Sequence, residues 1–255
     1  MNEIKQLVDE IFDEAVAIRR AIHQNPELSF EEYETAALIC SYLEKLNIPY
    51  QSGVAETGVV GLIEVEGARK TLLLRADMDA LPVQEETGLP FASKRDGVSH
   101  ACGHDMHVAV VLGTAMVLSR LKHRLKANIK LVFQPAEETV GGALPMIEAG
   151  VMENPHVDAA VAGHVMTDVP IGCVLVKDGE TMASPDDFEL VVHGRGGHGA
   201  CPHECIDPIA VTMQILSAWN TLSARFTTPL EKHLISVNRV HAGTCYNVIP
   251  DDASV

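Results

Sequence analysis

Residues Lys70-Thr71-Leu72-Leu73-Leu74-Arg75-Ala76 form an almost unbroken apolar run. A strand that is apolar at nearly every position must bury both faces, which calls for helices on either side of a largely parallel sheet. The segments Val59 to Val65, Asn128 to Gln134, 158–162 and 173–177 predict further strands of that sheet. Between them lie helical patterns. Ile4, Leu7, Val8, Ile11, Phe12, Ala15, Ile18 and Ile22 share one face of a helix over 4–24, stopped by Asn25-Pro26. Ser29 followed by Glu32 predicts a capping box opening a second helix, which ends near Asn47-Ile48-Pro49. A third helix is expected over 106–121, and a short one ends at Gly150. Strands alternating with helices predict a three-layer α/β domain.

The pattern changes near Ser184-Pro185-Asp186, which predicts two domains, 1–183 and 184–255. The second part reads as a strand (Phe188 to His193), a Gly-rich loop, a helix (Pro208 to Ala224), a strand (His233 to His241) and a fourth segment around Asn247. This β-α-β-β order opens a ferredoxin-like split βαβ unit, whose final helix and strand are expected beyond Val255.

Charge and cysteine content narrow the function. With 35 acidic against 19 basic residues the formal charge is −16, which repels phosphate backbones and anionic lipid headgroups. Neither nucleic acid nor membrane partners are expected. The start Met1-Asn2-Glu3-Ile4-Lys5 has no basic and apolar leader pattern, and the apolar stretch Val108 to Leu118 is too short to span a bilayer. A reducing cytoplasm with six free thiols is the expected setting.

Four polar patches lie at or just after the ends of strands, where α/β proteins build their sites. Asp77 and Asp79 close the 70–76 strand, and they point the same way if it continues. Cys102 and His104 flank a single glycine in His100-Ala101-Cys102-Gly103-His104-Asp105, so both side chains can turn toward one point. That pair suits a borderline-soft divalent metal, and a Cys/His nucleophile pair is the competing reading. Glu137 and Glu138 follow the 128–134 strand; as neighbours they project differently, one able to bind metal and the other to face a metal-bound water. His164 follows the apolar 159–162 segment. Cys102, His104, Glu138 and His164 are therefore candidate ligands, with Glu137, Asp77 and Asp79 as spare carboxylates, a set suited to metal-assisted amide or ester hydrolysis. His198, Cys201, His203 and Cys205 include a C-x3-C spacing, but no partner pair follows at the usual distance for a structural zinc site.

Six segments occur in a telling order: R-R-A-I-H-Q-N-P-E-L-S-F (19–30), R-A-D-M-D-A-L-P (75–82), H-A-C-G-H-D-M-H (100–107), F-Q-P-A-E-E (133–138), G-G-H-G-A-C-P-H (196–203) and N-V-I-P (247–250). Together they resemble the dinuclear metallo-amidohydrolases related to aminoacylase and carboxypeptidase G. The branch they resemble holds hippurate hydrolase, N-acyl-amino-acid amidohydrolase and the indole-acetyl-amino-acid hydrolases. The resemblance implies a three-layer zinc-peptidase-like catalytic domain with an inserted ferredoxin-like α+β lid, the lid being incomplete here. It implies two divalent metal ions (zinc, manganese, cobalt or nickel), with Cys102 bridging, His104 and His164 completing one ion, Glu138 serving the other, and Glu137 as general base. It further implies that Asp79 orients a ligand and that Asp77 stands where other branches carry a ligand histidine. His198 would contact the substrate carboxylate or the oxyanion, and Asn247 would face the site from the lid. A last ligand histidine is expected beyond Val255. The activity implied is hydrolysis of N-acyl amino acids, by a homodimer formed through the lid when full length. A metallo-carboxypeptidase or dipeptidase of the same fold, or a catalytically impaired metal-binding fragment, are the alternatives.

Overall fold

The computed structural model describes residues 2–139, 141–182, 184–225, 228 and 234–255, and the chain divides into two units, Met1–Val174 and Leu175–Val255. The first unit runs α1 (Asn2–Gln24), α2 (Tyr33–Lys45), β1 (Tyr50–Val54), β2 (Gly58–Ile63), β3 (Thr71–Asp77), α3 (His104–Arg120), β4 (Asn128–Gln134), α4 (Ala143–Glu148) and β5 (Ala159–Ala162). Its strands form one mixed sheet in the order β1-β2-β4-β3-β5. β3 pairs parallel with both β4 and β5, while β2 pairs antiparallel with β1 and β4.

Period-two alternation divides the side chains of the inner strands between two apolar clusters. Ile129, Leu131 and Phe133 of β4 face α1, α2 and α3, packed with Ile18, Ile22, Ile39, Leu43, Val108 and Leu112. Val132 of β4 and Leu73 of β3 face the other way, onto Met146 of α4 with Val151 and Val157. Helices on both faces give the three layers that the apolar strands demand.

Lys130, also on the second face, is 3% exposed. Its ammonium donates to the carbonyls of Val151, Glu153 and Pro155 at 2.8, 2.7 and 2.9 Å. Burial pushes its pKa down, but three carbonyl dipoles satisfy the charge where it sits. Lys130→Met removes the donor and strands those carbonyls, so the unfolding free energy is expected to fall by about 2–4 kcal/mol in urea titrations. A loss within about 0.5 kcal/mol, the usual range for a surface change, contradicts this picture.

Several sequence expectations need correcting. Ser29 and Glu32 make no capping box: the Ser29 hydroxyl donates to Asp79, and Glu32 makes no cap hydrogen bond. The carboxylate of Glu27 takes the cap instead, accepting from the amides of Glu34 and Thr35 at 3.0 and 2.8 Å. β1 was not expected, since Gln51-Ser52-Gly53 is polar and exposed on an edge strand. The strand expected over 173–177 is absent among the described residues; Val174, Leu175 and Val176 stand exposed with no strand beside them. Apolar β-branched sequence favours a strand, but without a neighbouring ladder it does not make one.

The second unit carries β6 (Val191–His193), β7 (Gly197–His198), α5 (Pro208–Arg225), β8 (His241–Ala242), β9 (Val248–Ile249) and β10 (Asp252–Ser254). β10 lies between β6 and β8 in an antiparallel sheet, α5 packs on β6 and β10, and β7 pairs with β9. Of the strand expected over His233 to His241, His233 lies outside the described residues and 234–240 form no strand; pairing begins only at His241. No helix among the described residues is long and apolar enough to cross a membrane.

Candidate metal centre

The three parallel strands end side by side, with Asp77 opposite Gln134 and Arg75 opposite Ala162. The loops leaving them therefore deliver Asp79, Glu137, Glu138 and His164 to one edge of the sheet, where the N-terminus of α3 brings Cys102 and His104. Gly103 makes that junction possible. Its φ of +85° is the left-handed conformation that glycine adopts freely, and a Cβ there would lie 2.5 Å from the Val165 side chain.

His104 is at the middle of the cluster and fully buried. One ligand atom from each of Cys102, His104 and His164 fits within 4.8 Å, and so does one from each of His104, Glu137 and Glu138. Cys102 Sγ is 3.4 Å from His164 Nε2. His104 Nδ1 faces Asp79 Oδ1 at 3.3 Å, while Nε2 looks toward Asp77 Oδ2 at 3.6 Å, Glu138 Oε1 at 3.7 Å and Glu137 Oε2 at 3.8 Å. Both nitrogens of His104, Asp79 Oδ1 and Glu138 Oε1 are buried without a hydrogen-bond partner. Buried polar atoms are nearly always paired, so a group of orphans facing one another is unusual. A thiol, imidazoles and carboxylates converging on one point fit a divalent cation, and Asp79 Oδ1 lies 3.3 Å from the Nδ1 side of the His104 ring.

The electrostatics argue against a cysteine nucleophile. Burial, reinforced by Glu138, Glu137 and Asp77, pushes the Cys102 thiol up to about 12. An attacking cysteine needs the opposite shift. Burial also raises the Glu137 carboxyl, with Glu138 beside it adding to the effect. Burial would raise Asp79 too, but His104, the amides of Glu138 and Glu137, and Ser29 outweigh it and lower its pKa. The acidic surroundings of His104 overcome its burial and raise its pKa.

Asp77 has a job that its sequence position does not disclose. It accepts from His107 Nδ1 at 2.5 Å and pairs with Arg75 Nη1 at 2.6 Å, and these partners hold its pKa down to about 2 against the effect of burial. His107 Nε2 in turn accepts from the amide of Val165 at 3.0 Å, so Nδ1 carries the ring hydrogen. Arg75, Asp77 and His107 thus secure the backbone next to His164. The sequence signal for His107 was its place three residues after His104, on the same face of a helix.

A second buried network anchors the N-terminus of α3 to α1, and sequence reading missed it. Asp105 pairs with Arg19 Nε at 2.6 Å and His23 Nδ1 at 2.8 Å, while His23 Nε2 meets Glu85 at 3.3 Å. The hydrogen bond to Asp105 is the largest influence raising the His23 pKa, against burial. A raised folded-state pKa contributes stability that is complete below the unfolded value of about 6.5 and is lost as pH rises through the folded value. Replacing His23 with Leu should therefore cost more stability at pH 5.5 than at pH 8.5 in chemical denaturation. A cost independent of pH contradicts the charge assignment.

His198 and Asn247 both lie in the second unit. They are neighbours there: His198 pairs with Val248 across the β7–β9 ladder, and Gly199 donates to the Asn247 carbonyl at 2.8 Å. His198 Nδ1 accepts from the Ala200 amide at 3.1 Å, leaving Nε2 as its outward donor. No metal-ligating group among the described residues includes His198, Cys201, His203 or Cys205.

The chain is 48% identical over its whole length to thermostable carboxypeptidase 2 of Saccharolobus solfataricus, spanning 65% of that protein. It is 41% identical over its whole length to an N-acyl-L-amino acid amidohydrolase of Geobacillus stearothermophilus, spanning 68% of it. Among solved structures, the Bacillus subtilis YXEP protein, a dinuclear metal-binding peptidase, superposes with a TM-score of 0.72 at 39% identity, over 96% of this chain and 63% of its own. Family-level similarity extends across residues 73–246, from β3 through the segment preceding Asn247, and on that basis the chain belongs to peptidase family M20/M25/M40.

Proposed function

We propose that the protein is a metal-dependent amidohydrolase of N-acyl amino acids. The observation that carries this reading is the buried, unpartnered His104 facing a thiol and carboxylates, with the half-exposed Glu137 beside it. Cys102, His104, His164 and Glu138 would hold two divalent ions, drawn from zinc, manganese, cobalt and nickel, which mixed sulfur, nitrogen and oxygen ligands accept. When bound, such ions lower the pKa of water to about 7 and polarise a carbonyl. Glu137, raised by burial and by Glu138, takes up the proton of the attacking water and returns it to the leaving amine. Asp79 fixes the ring of His104.

In this reading residues 184–255 begin a ferredoxin-like lid that joins two copies as a homodimer, with His198 binding the substrate carboxylate or the oxyanion and Asn247 facing the site. The cytoplasm is the setting that keeps Cys102 reduced. The name of the 48% identical relative supports a second substrate class, peptides cleaved at the C-terminus.

The test is release of the amino acid from N-acetyl and N-benzoyl amino acids, and from dipeptides, before and after exhaustive chelation of the full gene product. Hydrolysis of the acyl amino acids that is lost on chelation and restored by divalent metal is expected. Preference for dipeptides selects the second class, and full activity after chelation overturns the metal reading.

A further inference from the structure

Glu32 is fully buried, yet its side chain makes no cap hydrogen bond at the start of α2 and is not one of the groups assigned to the reaction. Its carboxylate reaches out of the α2 N-terminus to two distant segments. The Thr57 hydroxyl, in the β1–β2 turn, donates to Oε2 at 2.5 Å, and the backbone amide of Ala136 donates to Oε1 at 2.9 Å. Thr57 is itself buried. A buried carboxylate costs free energy that an apolar side chain in the same place would not, and burial duly pushes the pKa of Glu32 up.

What that carboxylate holds is the backbone immediately before Glu137. Ala136 is fully buried and has φ of +49°, a left-handed conformation that a residue with a side chain adopts only where its surroundings enforce it. The Gly142 amide closes on the Ala136 carbonyl at 2.9 Å. Two residues on, the Glu138 amide donates to Asp79 at 2.9 Å. Asp79 therefore holds this loop from the amides of Glu137 and Glu138 onward, and Glu32 holds it one residue earlier, at the turn from which Glu137 projects.

We propose that Glu32 is a positioning residue, which enforces the left-handed turn at Ala136 and so aims the Glu137 carboxylate. The proposal rests on the reading of Glu137 as proton acceptor. The hydrogen bonds of the Glu32 carboxylate go to Thr57 and Ala136 and not to a candidate metal ligand, so its loss is expected to act on turnover rather than on metal content. A displacement of about 1 Å in a positioned group costs on the order of 10²-fold in rate.

The experiment uses the full gene product, loaded with metal and assayed on an N-acetyl amino acid. Glu32→Met fills the volume without an acceptor and is expected to lower kcat about 100-fold, with KM and bound metal essentially unchanged. Glu32→Gln keeps an acceptor for Ala136 and a donor for the Thr57 oxygen, and should restore most of the lost kcat. Thr57→Val, close to isosteric, removes one of the donors to the carboxylate and is expected to lower kcat less than Glu32→Met does; it tests the same link if Glu32→Met proves unstable on melting. Wild-type kcat in Glu32→Met, or in Thr57→Val where that stands in, overturns the proposal; so does loss of bound metal or an effect on KM alone. Equal impairment of Glu32→Gln and Glu32→Met also overturns it, because charge rather than the acceptor would then matter. Glu137→Gln is measured in parallel. Turnover by that variant removes the proton-acceptor reading and this proposal with it, whereas an inactive Glu137→Gln beside a fully active Glu32→Met removes this proposal alone.

Discussion

Glu137→Gln is expected to retain its divalent metal while losing about 10³–10⁴-fold in kcat, at the upper end of what a positioned general base contributes. The geometry separates the two neighbouring glutamates. Glu138 is the more buried, its Oε1 has no hydrogen-bond partner, and its amide is tied to Asp79. Glu137 is 42% exposed at its side chain, sits 3.8 Å from His104 Nε2 at the rim of the cluster, and has a raised pKa. The amide of Gln is nearly isosteric with the carboxylate, so the loop keeps its shape, but it cannot accept a proton. Metal content by elemental analysis and kcat on one substrate decide the matter. A variant that turns over at near wild-type rate, or that arrives metal-free, contradicts the division of labour.

The second large effect is expected at His104. It shares a candidate ligand group with Cys102 and His164, another with Glu137 and Glu138, and a third with Asp77 and His107. Apparent binding free energies for four-ligand zinc sites run to roughly 10–16 kcal/mol, or about 3 kcal/mol per ligand, which is about two orders of magnitude in affinity. His104→Ala should weaken metal binding by at least that factor. The loss should be larger than for Cys102→Ala or His164→Ala, because His104 belongs to all three of these candidate ligand groups whereas Cys102 and His164 each belong to one. Competition with a chromophoric chelator measures it. Undiminished affinity in His104→Ala contradicts the centre as drawn.

How far the sequence disclosed this arrangement depended on whether a signal was local. β4 was legible to the residue because every position in it is buried, so its apolar run has no solvent face to blur the ends. The parallel β3, β4 and β5 made the candidate site legible as well: once strands are known to end together, the residues following each of them must meet. Glu137, Glu138 and His164 were found by that logic, and Cys102 and His104 by the single glycine between them. The capping box failed because a Ser and a Glu three apart can satisfy a helix start or be claimed by tertiary partners, and here Asp79, Thr57 and Ala136 claimed them. Asp77 read as a spare carboxylate, since its partner His107 comes from α3 and the backbone they secure comes from beyond β5. Asp105, His23 and Arg19 were missed because a buried ion network between two helices leaves no periodic trace. Apolar sequence at 173–177 misled in the opposite direction, predicting a strand without the neighbour that would complete it.

The most direct test of the central claim, that Cys102 and its neighbours form a metal centre, is titration with cobalt(II) followed by absorption spectroscopy. Cys102 is the one sulfur in the candidate ligand groups of the described residues. Its thiol is pushed up to about 12, so it would lose its proton only to a bound cation, and that cation would report a thiolate ligand directly. The protein is expected to develop a thiolate-to-cobalt charge-transfer band that saturates with metal, disappears on chelation, and is absent in Cys102→Ser. Cobalt uptake without such a band, or an unchanged band in Cys102→Ser, would contradict the centre described here.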